Sequence, residues 1–306
     1  MAMLPNALKR GDTIGVIAPS SPPNVKNMQQ AILFFDQLGL QIKFGKHVEK
    51  VHGYLAGTDD ERLEDLHEMF ADESISGIFC AGGGYGTGRI ADRIDYDLIR
   101  KNPKVFWGYS DITYLHTAFR QKTGLTTFHG PMLASDIGKD NFHHASREAF
   151  DQLFEPQTIV YDQDVTALEV LAEGEASGEI VGGNLSLLVN SLGSPYELDT
   201  KGKLLFIEDI DEEPYRIDSF LSQLKNAGKL EDASGVIVGD FNNAVAKKEP
   251  SLSFQQVLDD YFSNLNKPVI SGFKIGHCQP HYAIPFGTKS TLSSENKQLT
   301  INPGVK

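Results

Sequence analysis

Short β-branched runs alternate with helix-like segments through the first half of this chain, and that alternation restricts it to βαβ units built on a parallel sheet. Thr13-Ile14-Gly15-Val16-Ile17-Ala18 is a buried strand that runs into the loop Pro19-Ser20-Ser21-Pro22-Pro23. Residues 27–38 place Met28, Ala31, Ile32, Phe35 and Leu38 at helical spacing, with Gly39 as the stop. Thr58 and Glu61 predict a capping box ahead of Leu63, Leu66, Met69 and Phe70. Ile78-Phe79-Cys80-Ala81 and Val105-Phe106-Trp107 are further strands. Past Leu133 the pattern gives way to a polar, histidine-rich and acidic stretch through Asp164. The remainder is richer in strands, at 177–181, 204–207, 235–238 and 269–270. A helix over 215–226 lies among them, with Ile217, Phe220, Leu221 and Leu224 on one face. The expectation is an α/β chain of two domains, 1–165 and 166–306, without internal repeats or low-complexity tracts.

Charge and composition narrow the function classes. The 306 residues hold 41 acidic and 28 basic side chains, a formal charge of −13, which disfavours gripping nucleic acid through a basic face. It equally disfavours a polybasic anchor on anionic lipid. A hydrophobic fraction of 40% with 9% aromatics excludes a disordered chain. No run approaches the roughly 18 apolar residues of a membrane span, and the N-terminus lacks a cationic start followed by an apolar stretch. Cys80 and Cys278 make no disulfide framework. A cytoplasmic protein with neither nucleic-acid nor membrane partners is expected.

Four segments carry candidate chemistry. In the first, strand Val105-Phe106-Trp107 meets Gly108-Tyr109-Ser110-Asp111 and then a helix bearing Ile112, Leu115 and Phe119. A serine at such a turn projects its hydroxyl outward, beside N–H groups that can stabilise an oxyanion. The competing reading is that Ser110 or Asp111 caps the helix. Ile112 stands where a G-x-S-x-G elbow has its last glycine.

The second segment, Ala81-Gly82-Gly83-Gly84-Tyr85-Gly86-Thr87-Gly88-Arg89, lets the backbone approach a ligand and aim N–H groups at an anion. Arg89 and Ile90 replace the lysine and hydroxyl residue of a P-loop, which weakens phosphate binding against an oxyanion or carboxylate donor loop, or a plain tight turn. In the third, Glu208 or Asp209 at a strand end can orient a histidine, while Asp211, Glu212 and Glu213 read as a solvated acidic loop. In the fourth, Gly276-His277-Cys278-Gln279-Pro280-His281 gives His277 the most site-like setting of the nine histidines, with His129 a lesser candidate. His277, Cys278 and His281 suggest a metal site only weakly, because Pro280 intervenes and no second cluster exists. Cys80 reads as a buried small residue, and Cys278 is too close to His277 for a thiolate partnership.

Taken in order, these pieces resemble the serine LD-carboxypeptidases, a family that includes muramoyltetrapeptide carboxypeptidases and microcin C immunity hydrolases. The resemblance rests on 11–20, Gly83-Gly84-Tyr85-Gly86, Gly108-Tyr109-Ser110-Asp111-Ile112-Thr113 and His129-Gly130-Pro131. It continues through Gly182-Gly183-Asn184-Leu185-Ser186, Ile207-Glu208-Asp209, Pro214-Tyr215-Arg216-Ile217-Asp218 and Gly276-His277. It implies Ser110 as nucleophile, His277 as general base and Glu208, rather than Asp209, as the orienting acid. The oxyanion donors would be the N–H groups of Asp111 and Gly84. A carboxypeptidase also needs a cation or N–H groups for the terminal carboxylate, for which Arg89 and Arg216 are candidates, although either could be a structural ion-pair residue. Tyr85 and Asn184 are further substrate-binding candidates.

The implied fold is a flavodoxin- or amidotransferase-like N-terminal domain with a parallel sheet, joined to a β-rich swivelling C-terminal domain, with the site between them. The order Ser, Glu, His parallels the α/β-hydrolases in roles only. The implied reaction is release of C-terminal D-alanine from a muropeptide, by a homodimer using neither metal nor cofactor. One alternative keeps the chemistry and cuts a peptidyl-nucleotide, as microcin C immunity hydrolases do. Such an enzyme needs an aromatic surface for the base, and the sole tryptophan, Trp107, falls inside a strand. A second alternative is a non-catalytic module that holds an anion on the glycine loop. Cys278 and His281 stand where the family often has glycine and asparagine, a departure that bears on the pocket and leaves the triad intact.

Overall fold

The computed structural model describes residues 2–306. The chain forms two compact units. One runs to Gln157 and takes back Gln279–Gly287 and Pro303–Lys306; the other comprises Thr158–Cys278 and Thr288–Asn302. A single boundary near 165 therefore does not describe the division. The chain re-enters the first unit because Ile284–Phe286 pairs there as an edge strand, a three-residue element too short to announce itself in the sequence.

Fourteen strands among the described residues are numbered along the chain. The first unit holds β1 (Thr13–Ile17), β2 (Gln41–Phe44), β3 (Ile75–Cys80), β4 (Val105–Gly108), β5 (Thr127–His129) and β12 (Ile284–Phe286). Their order is β12-β5-β4-β3-β1-β2, with β1 to β5 mutually parallel and β12 antiparallel to β5. Omitting the returning strand, the order 2-1-3-4-5 is that of flavodoxin-like sheets. Strand β4 is buried at every position, which is why it reads as an unbroken apolar run rather than an alternation. Its Trp107 stacks against Phe79, Phe128 and Phe150 at centroid distances of 5.8, 6.0 and 4.5 Å.

Thr58 and Glu61 form the expected capping box on helix Asp59–Ala71. The helix expected over 27–38 is instead two, Val25–Gln30 and Ile32–Leu38. They meet at Ala31, whose carbonyl accepts from both Phe34 and Phe35 N–H, a local tightening to three-residue spacing. The apolar stripe continues across the junction, with Met28, Ala31 and Phe35 fully buried.

The second unit holds β6 (Ile159–Tyr161), β7 (Glu169–Ala172), β8 (Glu175–Asn184), β9 (Leu204–Ile210), β10 (Gly235–Asn242), β11 (Val269–Ser271), β13 (Lys289–Ser293) and β14 (Gln298–Ile301). They form one sheet, β6-β14-β13-β8-β9-β10-β11-β7, in which β8 to β11 are parallel and the outer pairings antiparallel. Helix Pro214–Asn226 buries Ile217, Phe220, Leu221 and Leu224 in a core shared with Leu205, Ile207, Val236 and Val238. Pro214 suits the first helical turn, where its missing N–H costs nothing. No helix among the described residues is long and apolar enough to cross a membrane.

Candidate active site

In the first unit, loops leave the carboxyl ends of β1, β3 and β4, around the point where strand order reverses and open α/β sheets bind ligands. After β4, Ser110 adopts φ +63°, a left-handed conformation that costs a non-glycine residue on the order of 1 kcal/mol or more. It opens the tight turn Ser110–Ile112 that feeds helix Thr113–Thr123, and neither the turn nor the helix has a side-chain cap. The capping reading is thus not what Ser110 does here.

The strain is held by neighbours. The Gly108 carbonyl accepts from Gly130 N–H at 3.3 Å and lies 2.8 Å from His116 Nε2. A carbonyl only accepts, so Nε2 carries the proton. Burial pushes His116 down to about 4, leaving it neutral at neutral pH. Tyr109 donates its hydroxyl to Asp136 Oδ1 at 3.0 Å. Its ring packs on His129 and His281 at 5.5 and 4.6 Å. His129 and His281 are fully buried, so both belong to the wall behind the turn.

The glycine loop after β3 faces the serine: a Cβ on Gly83 would stand 3.1 Å from Ser110 Oγ. Gly84 has φ +111°, and a Cβ there would lie 2.3 Å from Ser21 Oγ, so conformation and space both demand glycine. Asp111, the other expected oxyanion donor, is 2% exposed, and burial raises its carboxyl above the ordinary range. Tyr85 is exposed and meets the exposed Tyr54 edge-on at 5.7 Å. Arg89 is held bidentately, with Nε and Nη2 donating to the two Asp59 oxygens at 3.0 and 2.9 Å.

In the second unit, His277 Nδ1 lies 2.7 Å from Glu208 Oε2. The carboxylate is an acceptor, so Nδ1 carries the proton and Nε2 is left as the basic nitrogen. Glu208 is fully buried within β9. Gly276 has φ +120°, and a Cβ there would come within 2.6 Å of Glu208 Oε2. Asn242 donates to the His277 carbonyl at 2.7 Å. Asp209, on the opposite face of the strand, accepts from Asn184 Nδ2 at 2.8 Å and from Ser186 N–H at 2.9 Å. Asn184 caps helix Leu185–Asn190 and is 3% exposed. Arg216 lies 3.4 Å from Glu212 and 4.7 Å over the Phe220 ring.

The acidic loop is at the surface, with Asp211 exposed and Glu212 and Glu213 partly buried, and it is tied down by hydrogen bonds. Asp211 accepts from Asn243 Nδ2 and Glu213 from Lys247 N–H, each at 2.8 Å, because the loops after β9 and β10 are neighbours. Cys80 is fully buried and its thiol is pushed well up, which removes it as a thiolate. No group of three His, Cys, Asp or Glu side chains among the described residues could hold a metal. Ser20, Arg62, Thr87 and Asn242 were not singled out in the sequence. Two of them carried a signal in their place in the chain, Ser20 in the proline-flanked loop after β1 and Thr87 within the glycine loop.

Residues 14–130 match the LD-carboxypeptidase N-terminal domain and residues 177–292 the LD-carboxypeptidase C-terminal domain. The chain is 57% identical over 302 residues to a probable murein peptide carboxypeptidase of Bacillus subtilis, covering 98% of this chain and 95% of that one. It belongs to the LD-carboxypeptidase family. Membership makes it a serine peptidase and accounts for the two-unit α/β architecture. Another member, the microcin C7 self-immunity protein MccF of Escherichia coli, is 29% identical across 98% of this chain and 95% of its own. Two solved structures superimpose over nearly the whole length. The MccF-like protein of Bacillus anthracis has TM-score 0.89 and 30% identity, covering 99% of this chain and 100% of that one. Muramoyltetrapeptide carboxypeptidase of Oxalobacter formigenes has TM-score 0.84 and 27% identity, covering 96% and 100%.

Proposed function

We propose that this chain is a serine LD-carboxypeptidase that releases C-terminal D-alanine from murein tetrapeptides through an acyl-enzyme, with Ser110, His277 and Glu208 as its triad. The observation that carries the chemistry is the uncapped, left-handed Ser110 facing a glycine loop. The murein substrate is supported by the 57% identity to the Bacillus subtilis protein.

In this mechanism His277 Nε2 takes the Ser110 hydroxyl proton as Oγ bonds to the amide carbonyl carbon. The N–H groups of Asp111 and Gly84 hold the resulting oxyanion, where losing one donor typically costs about 100- to 1000-fold. His277 then passes the proton to the departing D-alanine nitrogen as the C–N bond breaks. Water, deprotonated by the same nitrogen, cleaves the ester and restores Ser110. Glu208 keeps the proton on Nδ1 and balances the imidazolium. Tyr85 and Asn184 remain candidates for substrate contact, with Arg89 and Arg216 for the terminal carboxylate; Arg89 would have to exchange Asp59 for that carboxylate.

With only two cysteines in 306 residues the sequence carries no disulfide framework, which supports a cytoplasmic location. The homodimer carried over from the family is checked by sedimentation of the purified chain.

The test is free D-alanine released from L-Ala-γ-D-Glu-(diamino acid)-D-Ala by wild type and by Ser110→Ala. Release that the substitution abolishes is expected, and no release by wild type sinks the tetrapeptide assignment. A peptidyl-nucleotide hydrolase is the second reading. The exposed Tyr54–Tyr85 pair beside the glycine loop favours it, while the fully buried Trp107 offers no stacking surface. An aminoacyl-sulfamoyl nucleotide in the same assay separates the two.

A further inference from the structure

The reaction uses the Asp111 N–H and leaves the carboxylate idle, although that group is 2% exposed and one residue from the nucleophile. A buried carboxylate is costly unless donors converge on it. Here they do. Oδ2 accepts from Ser20 Oγ at 2.7 Å and from Thr87 N–H at 2.9 Å, and Gly86 N–H reaches the same group. The Asp111 carbonyl accepts from Thr87 Oγ1 at 2.6 Å. These donors come from the loop after β1 and the loop after β3. Arg62, 1% exposed, donates to the Pro19 and Gly86 carbonyls and so holds the same two loops from another direction. Ser21 completes the tie, its N–H donating to Gly83 O at 3.2 Å and its Oγ accepting from Tyr85 N–H at 3.1 Å. Gly84 is thus fixed through the residues on both sides of it.

We propose that the Asp111 carboxylate is a positioning residue of the oxyanion hole. By tying the loop after β1 and the glycine loop to the residue that follows the nucleophile, it aims the Gly84 N–H at the point the Asp111 N–H already addresses. This rests on the assignment of those two groups as oxyanion donors. A carboxylate offers the Ser20 and Thr87 donors acceptors only and a full charge, whereas an amide is a weaker, neutral acceptor that puts an N–H pair in place of one oxygen. A displacement of about 1 Å in an oxyanion donor costs about 100-fold.

Asp111→Asn keeps the shape of the side chain. Its kcat for D-alanine release is expected to fall about 100-fold with KM nearly unchanged, since only transition-state contacts are disturbed. A substrate with a thioamide at the scissile bond reads the hole directly, because sulfur accepts hydrogen bonds poorly. Wild type should prefer the oxygen substrate strongly, and that preference should shrink in D111N. Wild type indifferent to sulfur would overturn the oxyanion assignment itself. A preference retained in full by D111N, with kcat unchanged, would overturn the role of Asp111 alone. Ser20→Ala removes one donor and spares the carboxylate; it is expected to lower kcat roughly tenfold in the same pattern. An unchanged kcat in that variant counts against the proposal even if D111N does not fold.

Discussion

Around Ser110 the constraints are spread over many bonds, including several donors that share the buried Asp111 carboxylate, whereas around His277 they are one buried charge and the space left for it. The nucleophile turn depends on a left-handed serine, a glycine loop that approaches its hydroxyl, and hydrogen bonds to main-chain groups of three loops. The histidine depends on a fully buried glutamate 2.7 Å away and on a glycine whose missing side chain makes room for that carboxylate. Constraints of the first kind are shared among many bonds, so losing one is partly absorbed. A buried charge pair is not shared, and removing one partner leaves the other uncompensated. The second unit should therefore be more sensitive to a single atom than the first.

Glu208→Gln gives that difference its largest effect. The substitution keeps volume and removes the charge that fixes the Nδ1 proton, and kcat is expected to fall about 10³- to 10⁴-fold with KM little changed. A loss below tenfold in steady-state D-alanine release would show that His277 does not need Glu208. Gly276→Ala is the intermediate case. The new methyl would sit 2.6 Å from Glu208 Oε2 and must displace either the carboxylate or the His277 backbone, so a loss of about 100-fold is expected. Retention of near wild-type kcat in G276A would mean that the pair tolerates misalignment, and the contrast with the Ser110 turn would fail.

Much of this arrangement was legible in the sequence because the decisive residues are of types that announce themselves. Glycines at 82–84, 86 and 276 mark close approach, and the alternation of strands with helices indicates a parallel sheet. Glu208 and Asp209 were indistinguishable by local sequence. The structure separates them by strand alternation, which sends one side chain to His277 and the other to Asn184 and Ser186. Other features had no local signature. Ala31 breaks a helix whose apolar spacing is continuous, and β12 returns to the first unit on the strength of a pairing with β5 far away in the chain. Asp111 read as a possible cap, since its converging donors, Ser20 and Thr87, lie 91 and 24 residues distant.

Asp209 offers the smallest and most specific test, because it is the charge beside Glu208 that the triad does not use. Burial first, and then the neighbouring Glu208 charge, raise its carboxyl to about 6, against hydrogen bonds from Ile210, Asn184 and Ser186 that act the other way. A carboxyl raised above its unfolded value of about 3.9 binds its proton more tightly in the folded chain, so its contribution to stability falls as pH rises from about 4 to 6. Above that window the full penalty is present, on the order of 3 kcal/mol. Asp209→Asn cannot titrate and should lack the trend. Other carboxylates, such as the partly buried Asp72 held well below its usual range by Lys43, contribute the opposite slope but do so equally in both proteins. The difference in unfolding free energy, wild type minus D209N, should therefore decline between pH 4 and 6 and level off above it. Denaturant titrations at half-unit pH steps would show this, and two curves that stay parallel through the window would mean that Asp209 remains ionised beside Glu208 throughout.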